Sequence, residues 1–133
     1  MMAATPDAFK APPPETAYAD APELLYEAAQ LTRYSTRLTT GEDGPDKERE
    51  YRLRRAAHAD RFALLADDLS PNSPTAEHAE HEAARTARDL AAWDRDHPED
   101  VAGPYGPTSP ELGRTVRAYV RQEYAAWKAG TEK

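Results

Sequence analysis

The chain of 133 residues contains no cysteine. That absence excludes a disulfide scaffold, a thiolate metal site and a cysteine nucleophile. It suits a reducing compartment, and a cytoplasmic location is expected. Isoleucine is missing too. No run approaches the roughly 18 apolar residues of a membrane-spanning helix, so no membrane contact is expected. The opening MMAATPDAFKAPPP lacks the basic and apolar regions of a secretory signal. Alternation of β-branched with polar residues is lacking, which argues against strands. So are a glycine-rich phosphate loop, a nucleophile elbow and a carboxylate pair spaced for acid–base chemistry. The expectation is therefore a protein that is not an enzyme and carries no cofactor.

What is present is charge and alanine. There are 17 basic and 24 acidic residues, a formal charge of −7. That balance favours solubility and opposes general affinity for nucleic acid or anionic membranes. Arginine far exceeds lysine, a bias that resembles GC-rich bacterial coding sequence.

Start and stop signals divide the chain into a Pro/Ala-rich arm, residues 1–19, and a helical unit, 20–130. The arm holds three consecutive prolines, Pro12 to Pro14, and reads as flexible. Asp20 and Glu23 have capping-box spacing, with Pro22 in the first turn, so a helix is expected over 21–40. Its apolar stripe is Leu24, Ala28, Leu31, Ser35 and Leu38, and Gly41 is a natural stop. Pro45 opens a second helix, 45–69, with a stripe of Tyr51, Arg55, His58, Phe62, Leu65 and Leu69, and Leu53, Ala59 and Ala66 alongside. Ser73-Pro74 opens a third, 74–96, with Ala76, Ala79, Ala83, Thr86 or Ala87, Leu90 and Trp93 inward. Pro98 ends it. Ser109-Pro110 opens the last, 110–129, with Leu112, Val116, Val120, Tyr124 and Trp127 on one face. Matched lengths and short turns predict an all-α, antiparallel up-and-down four-helix bundle.

Three groups of residues invite a functional reading. The first is AEHAEHEAA, residues 76–84. His78 and His81 are three apart and His78 and Glu82 four apart, spacings that share a helix face. A metal site needs three or four protein ligands and a supporting shell. These residues lie beside the alanine stripe, in first turns where glutamate suits the helix dipole. They read as a solvated helix start, and no metal is expected. The second is His58, alone in an apolar stripe. It reads as a buried polar residue satisfied by a carboxylate, tyrosine or carbonyl. The third is RLRRAAHADR, residues 52–61, where Arg52 and Arg55 could face phosphate. Interleaved acids, including Asp60, make this a charge-laced face instead.

The leading expectation is a small acidic interaction or regulatory protein that docks a protein partner or itself. A nucleic-acid regulator using Arg52 and Arg55 is the alternative, and a metal-binding bundle using His58, His78 and His81 a third. Alanine at so many stripe positions buries little area, so a homodimer is expected to supply more. Tyr119, Tyr124 and Trp127 of the last helix are the expected partner-binding anchors, beside Arg52 and Arg55.

Overall fold

The structure is a computed structural model that describes residues 12–42, 44–109 and 116–131. Among these residues there is no strand. The elements are α1 (Pro14–Ala17), α2 (Leu24–Thr39), α3 (Pro45–Leu69), α4 (Pro74–Asp96), a 3₁₀ turn (Pro98–Asp100) and α5 (Val116–Thr131). The four long helices pack as a bundle. No described helix is long and apolar enough to cross a membrane.

The proline signals set the helix boundaries. Pro45 and Pro74 each stand in a first turn, where a missing N–H costs nothing. Ser73 caps α4, its hydroxyl accepting from the Ala76 amide at 3.0 Å. Asn72, just before it, takes φ 61° in the tight turn between α3 and α4. Gly41 takes φ 80° after α2, the left-handed conformation that glycine tolerates best. The start of α2 differs from the sequence reading. Glu23, not Asp20, is the cap and accepts from the Tyr26 amide at 3.0 Å. Residues 21–23 stay outside the helix, because Ala21 precedes a proline that disfavours its helical conformation. Pro110 and Leu112, expected at the start of the last helix, fall outside the described residues.

Contacts fix the directions. Leu24, Glu27 and Tyr34 of α2 meet His58, Arg54 and Tyr51 of α3 in turn. Those two helices therefore run antiparallel. The alanines late in α3, Ala63 and Ala66, pack on Ala76 and Ala79 early in α4. At the other end Arg49 meets Asp94, so this pair is antiparallel as well. The α3–α4 contact is the most extensive between helices, and α5 packs against both.

The core has two parts. One is a pure alanine seam between α3 and α4, made of Ala63, Ala66, Ala76, Ala79 and Ala83. The other gathers Leu53, Ala56, Ala57, Ala87 and Leu90 around Tyr119, Val120 and Tyr124 of α5. The stripe expected on α4 is the one observed, with Trp93 half-buried at its end. Of the residues expected to face inward on α3, the flanking Leu53 and Ala66 do so and the stripe itself does not. The face turned to α4 and α5 carries Leu53, Ala56, Ala57, Asp60, Ala63 and Ala66. Phe62, Leu65 and Leu69 stay 45%, 42% and 73% exposed. Close helix packing selects small side chains for the seam, which pushes the large ones outward.

Within the segment read as an arm, a short helix is present. Residues 14–17 form α1, which packs on α5 with Ala17 buried. Tyr18 follows and meets the ring of Tyr124 edge-on at 5.3 Å.

The seam makes a direct prediction. Ala83, 1% exposed, has no room for added methylenes, so Ala83→Leu should lower the unfolding free energy by about 1–3 kcal/mol. Leu69→Ala on the exposed side should change it by less than about 0.5 kcal/mol. Urea denaturation of both variants measures the difference. Equal effects would show that the seam is not closely packed.

Candidate functional site

Three networks of buried or half-buried charge join the helices. Arg49, in the early turns of α3, points between α4 and α5. Its Nε and Nη2 donate to Asp94 Oδ1 and Oδ2 at 3.1 and 2.7 Å. Nη2 also donates to Glu123 Oε1 at 2.8 Å. Asp94 and Glu123 are fully buried, so this cluster holds one carboxylate more than it has cations. Neutral donors supply the remaining stabilisation. The Tyr119 hydroxyl donates to Asp94 Oδ2 at 2.5 Å. The backbone amides of Ala102 and Gly103 donate to the two Glu123 oxygens at 2.8 and 2.7 Å. The Gln122 amide donates to Glu123 Oε2 and to the Tyr105 carbonyl, both at 2.8 Å. A Cβ at Gly103 would lie 2.3 Å from Gln122 Nε2, so any side chain there would displace the Gln122 amide from its bonds.

A second buried centre forms around Asp60, which is also fully buried. It accepts from the Tyr18 hydroxyl at 2.6 Å and from Arg121 Nε and Nη2 at 2.8 and 3.0 Å. Arg117 Nε is a further donor. Here cations exceed carboxylates. Burial alone would raise the Asp60 pKa, but Arg121, Tyr18 and Arg117 outweigh it and hold the group below its ordinary 3.8. Burial, reinforced by the neighbouring Asp60 and Asp94 charges, pushes the Tyr18 and Tyr119 phenols well above the ordinary 10.0. A third link joins α2 to α3, where Arg54 holds buried Glu27 through two bonds of 3.0 and 2.8 Å. Every carboxylate in these centres is engaged by donors and turned from solvent. The arrangement can clamp helices together.

The expected site residues are spread over the fold. His78 and His81 point to solvent while Ala76, Ala79 and Ala83 face inward. The Glu82 carboxylate is held by Arg85 at 3.0 and 2.7 Å. Among the described residues no group of three or more His, Asp or Glu is placed to hold a metal ion. His58 is half-buried between α2 and α3, with Nε2 3.0 Å from the Leu24 carbonyl. A carbonyl can only accept, so Nε2 carries the proton. Arg52 pairs with Glu48 at 3.1 Å and Asp89 at 3.2 Å. Arg55 also pairs with Asp89. Tyr119 and Tyr124 require correction. They are 1% and 2% exposed within the chain's own core, because α5 turns them onto α3 and α4, and so they are not available as partner anchors. Trp127 is half-buried beside Tyr124, their rings 5.4 Å apart.

The face left open lies on α3. Tyr51, Arg55, His58, Phe62, Leu65 and Leu69 form one continuous stripe on that helix. α2 covers its first half and begins at Leu24, level with His58. From Phe62 onward the stripe continues with nothing laid on it among the described residues. Leu25 and Tyr26, also exposed, sit in the first turn of α2 where the cover begins.

Sequence reasoning missed both the buried acids and this open face. Asp60 and Glu123 could have been found, since each falls in phase with apolar neighbours, as in Leu53, Ala56, Asp60, Ala63. Asp94 carried a second signal, an anion near a helix C-terminus, where the dipole opposes it. The open face carried none, since the length of α2 relative to α3 decides it. Comparison with protein-family models, curated proteins and solved structures gave no match.

The Asp60 centre predicts a defined acid response. Removing one buried partner strands the others, so Asp60→Asn should cost about 3–5 kcal/mol at neutral pH. Because the folded pKa of Asp60 is lowered, its contribution is full above 3.8 and is lost as pH falls toward the folded-state value. Denaturant titrations between neutral pH and the acid limb should therefore show a shallower loss in Asp60→Asn than in the wild type. Parallel acid limbs would show that Asp60 does not carry this charge into the fold.

Proposed function

We propose that this chain is a small helical interaction protein that docks a protein partner through the uncovered half of the α3 stripe. The observation that carries the reading is the exposure of Phe62, Leu65 and Leu69 on one helix face beyond the reach of α2. A single exposed leucine needs no explanation, but a contiguous apolar stripe on a chain this charged marks an interaction surface. The buried ionic centres support the same view, since they hold the helices that carry this face in place. The paired state of Arg52 and Arg55 leaves that edge of α3 balanced in charge, which gives phosphate little to neutralise.

Photo-crosslinking in the producing cell tests this. Benzoylphenylalanine at position 65 should give ultraviolet-dependent protein adducts. The same group at position 95, exposed in the last turn of α4 at the far end of the bundle, should give none. Absence of adducts at 65, or equal adducts at both positions, would reject the docking role.

A further inference from the structure

We infer that the occupant of the α3 face is a second copy of this chain, paired antiparallel about a two-fold axis near Leu65. This rests on the docking role proposed above and adds the identity of the partner. The clefts beside Arg117 are lined by Asp67, Glu77 and Glu80 and open to solvent.

Charged residues flank the stripe. Arg61 and Asp68 are seven residues apart, two helical turns, and so share one edge of the apolar face. Neither makes an ion pair among the described residues. The contact recorded for Arg61 is the Tyr18 ring, 6.0 Å from its guanidinium. Elsewhere on α3 the pattern is different: Arg49, Arg52, Arg54 and Arg55 each have a carboxylate partner. A cation and an anion with no ion-pair partner among the described residues thus border the uncovered part of the helix.

An antiparallel pair centred on Leu65 answers both ends. Phe62 then lies opposite Leu69 of the second copy, and Arg61 opposite its Asp68, each within one residue of register. The two-fold axis repeats both contacts, so one surface satisfies itself. A foreign partner would need to supply an anion and a cation at this same separation. The two cross-pairs also offset locally the repulsion between chains of charge −7. Three large side chains make a small interface, which belongs to the weak class, with dissociation expected at about 10–100 µM.

Sedimentation equilibrium of the full chain over about 5–500 µM decides the matter. The wild type should rise from one chain mass toward two. Leu65→Lys, at an exposed position and with unchanged circular dichroism and thermal unfolding, should stay monomeric. Arg61→Asp and Asp68→Arg should each weaken association by about fivefold or more, and the double exchange Arg61→Asp with Asp68→Arg should restore it to within about twofold. A monomer at every concentration, a dimer that survives Leu65→Lys, or charge variants without effect and recovery would overturn the proposal. Crosslinking separates the two readings. Monomeric chains with adducts to another protein at position 65 leave the docking role standing and remove self-pairing. Monomeric chains without adducts remove both.

Discussion

The guanidinium of Arg49 is the point on which the arrangement of helices depends. One planar group from α3 grips carboxylates from α4 and α5 together. The crossover between those helices is tied to the same cluster through the Ala102 and Gly103 amides. Arginine suits the position because its fork can address two acceptors in fixed directions, which an ammonium cannot do. A buried charge cluster of this kind adds little net stability compared with apolar packing of the same volume. Its members nevertheless depend on one another, since each becomes costly when a partner is absent. The cluster therefore acts on position, allowing one register of α4 and α5 against α3.

That role follows from the composition of the interior. An alanine seam brings helices close but does little to distinguish one axial alignment from the next, because each alanine resembles its neighbour. Leu53, Leu90 and Val120 supply some shape, and Tyr119 and Tyr124 supply most of the bulk. The polar centres at Arg49, Asp60 and Glu27 provide the directional contacts the seam lacks. Seen this way, the high charge of the chain is divided between two tasks. Some of it faces water, and some of it locates the helices.

The sequence made the elements legible and the interior only partly so. Prolines and serines marked where α3 and α4 begin, because those signals act locally through missing N–H groups and side-chain caps. The alanine period of α4 was readable for a similar reason, since no larger residue competed with it. On α3 the same logic failed. Periodicity weighs Phe62 and Leu65 above Ala56 and Ala63, whereas the seam is governed by how closely two backbones approach. The buried acids were hidden by a related assumption, that charge belongs to solvent. Asp60 and Glu123 follow the apolar period and break that assumption only when their arginine partners, as many as 74 residues away in sequence, are brought alongside. The start of α2 and the docking of Tyr18 were missed because both depend on contacts that no local pattern records.

Gly103 bears on a different matter, the divisibility of the chain. It sits where backbone must pass against Gln122 while giving its amide to Glu123. The crossover is thus not a tether between a three-helix unit and an added α5. Separated from α5, the remaining helices would leave Arg49 with Asp94 alone and Asp60 with neither guanidinium. Tyr18 extends the same dependence to the segment before α2, through its bond to Asp60 and its ring contact with Tyr124. Residues more than a hundred positions apart therefore belong to one cooperative unit. Exchange of α5 for another helix would remove partners of Arg49 and Asp60 together.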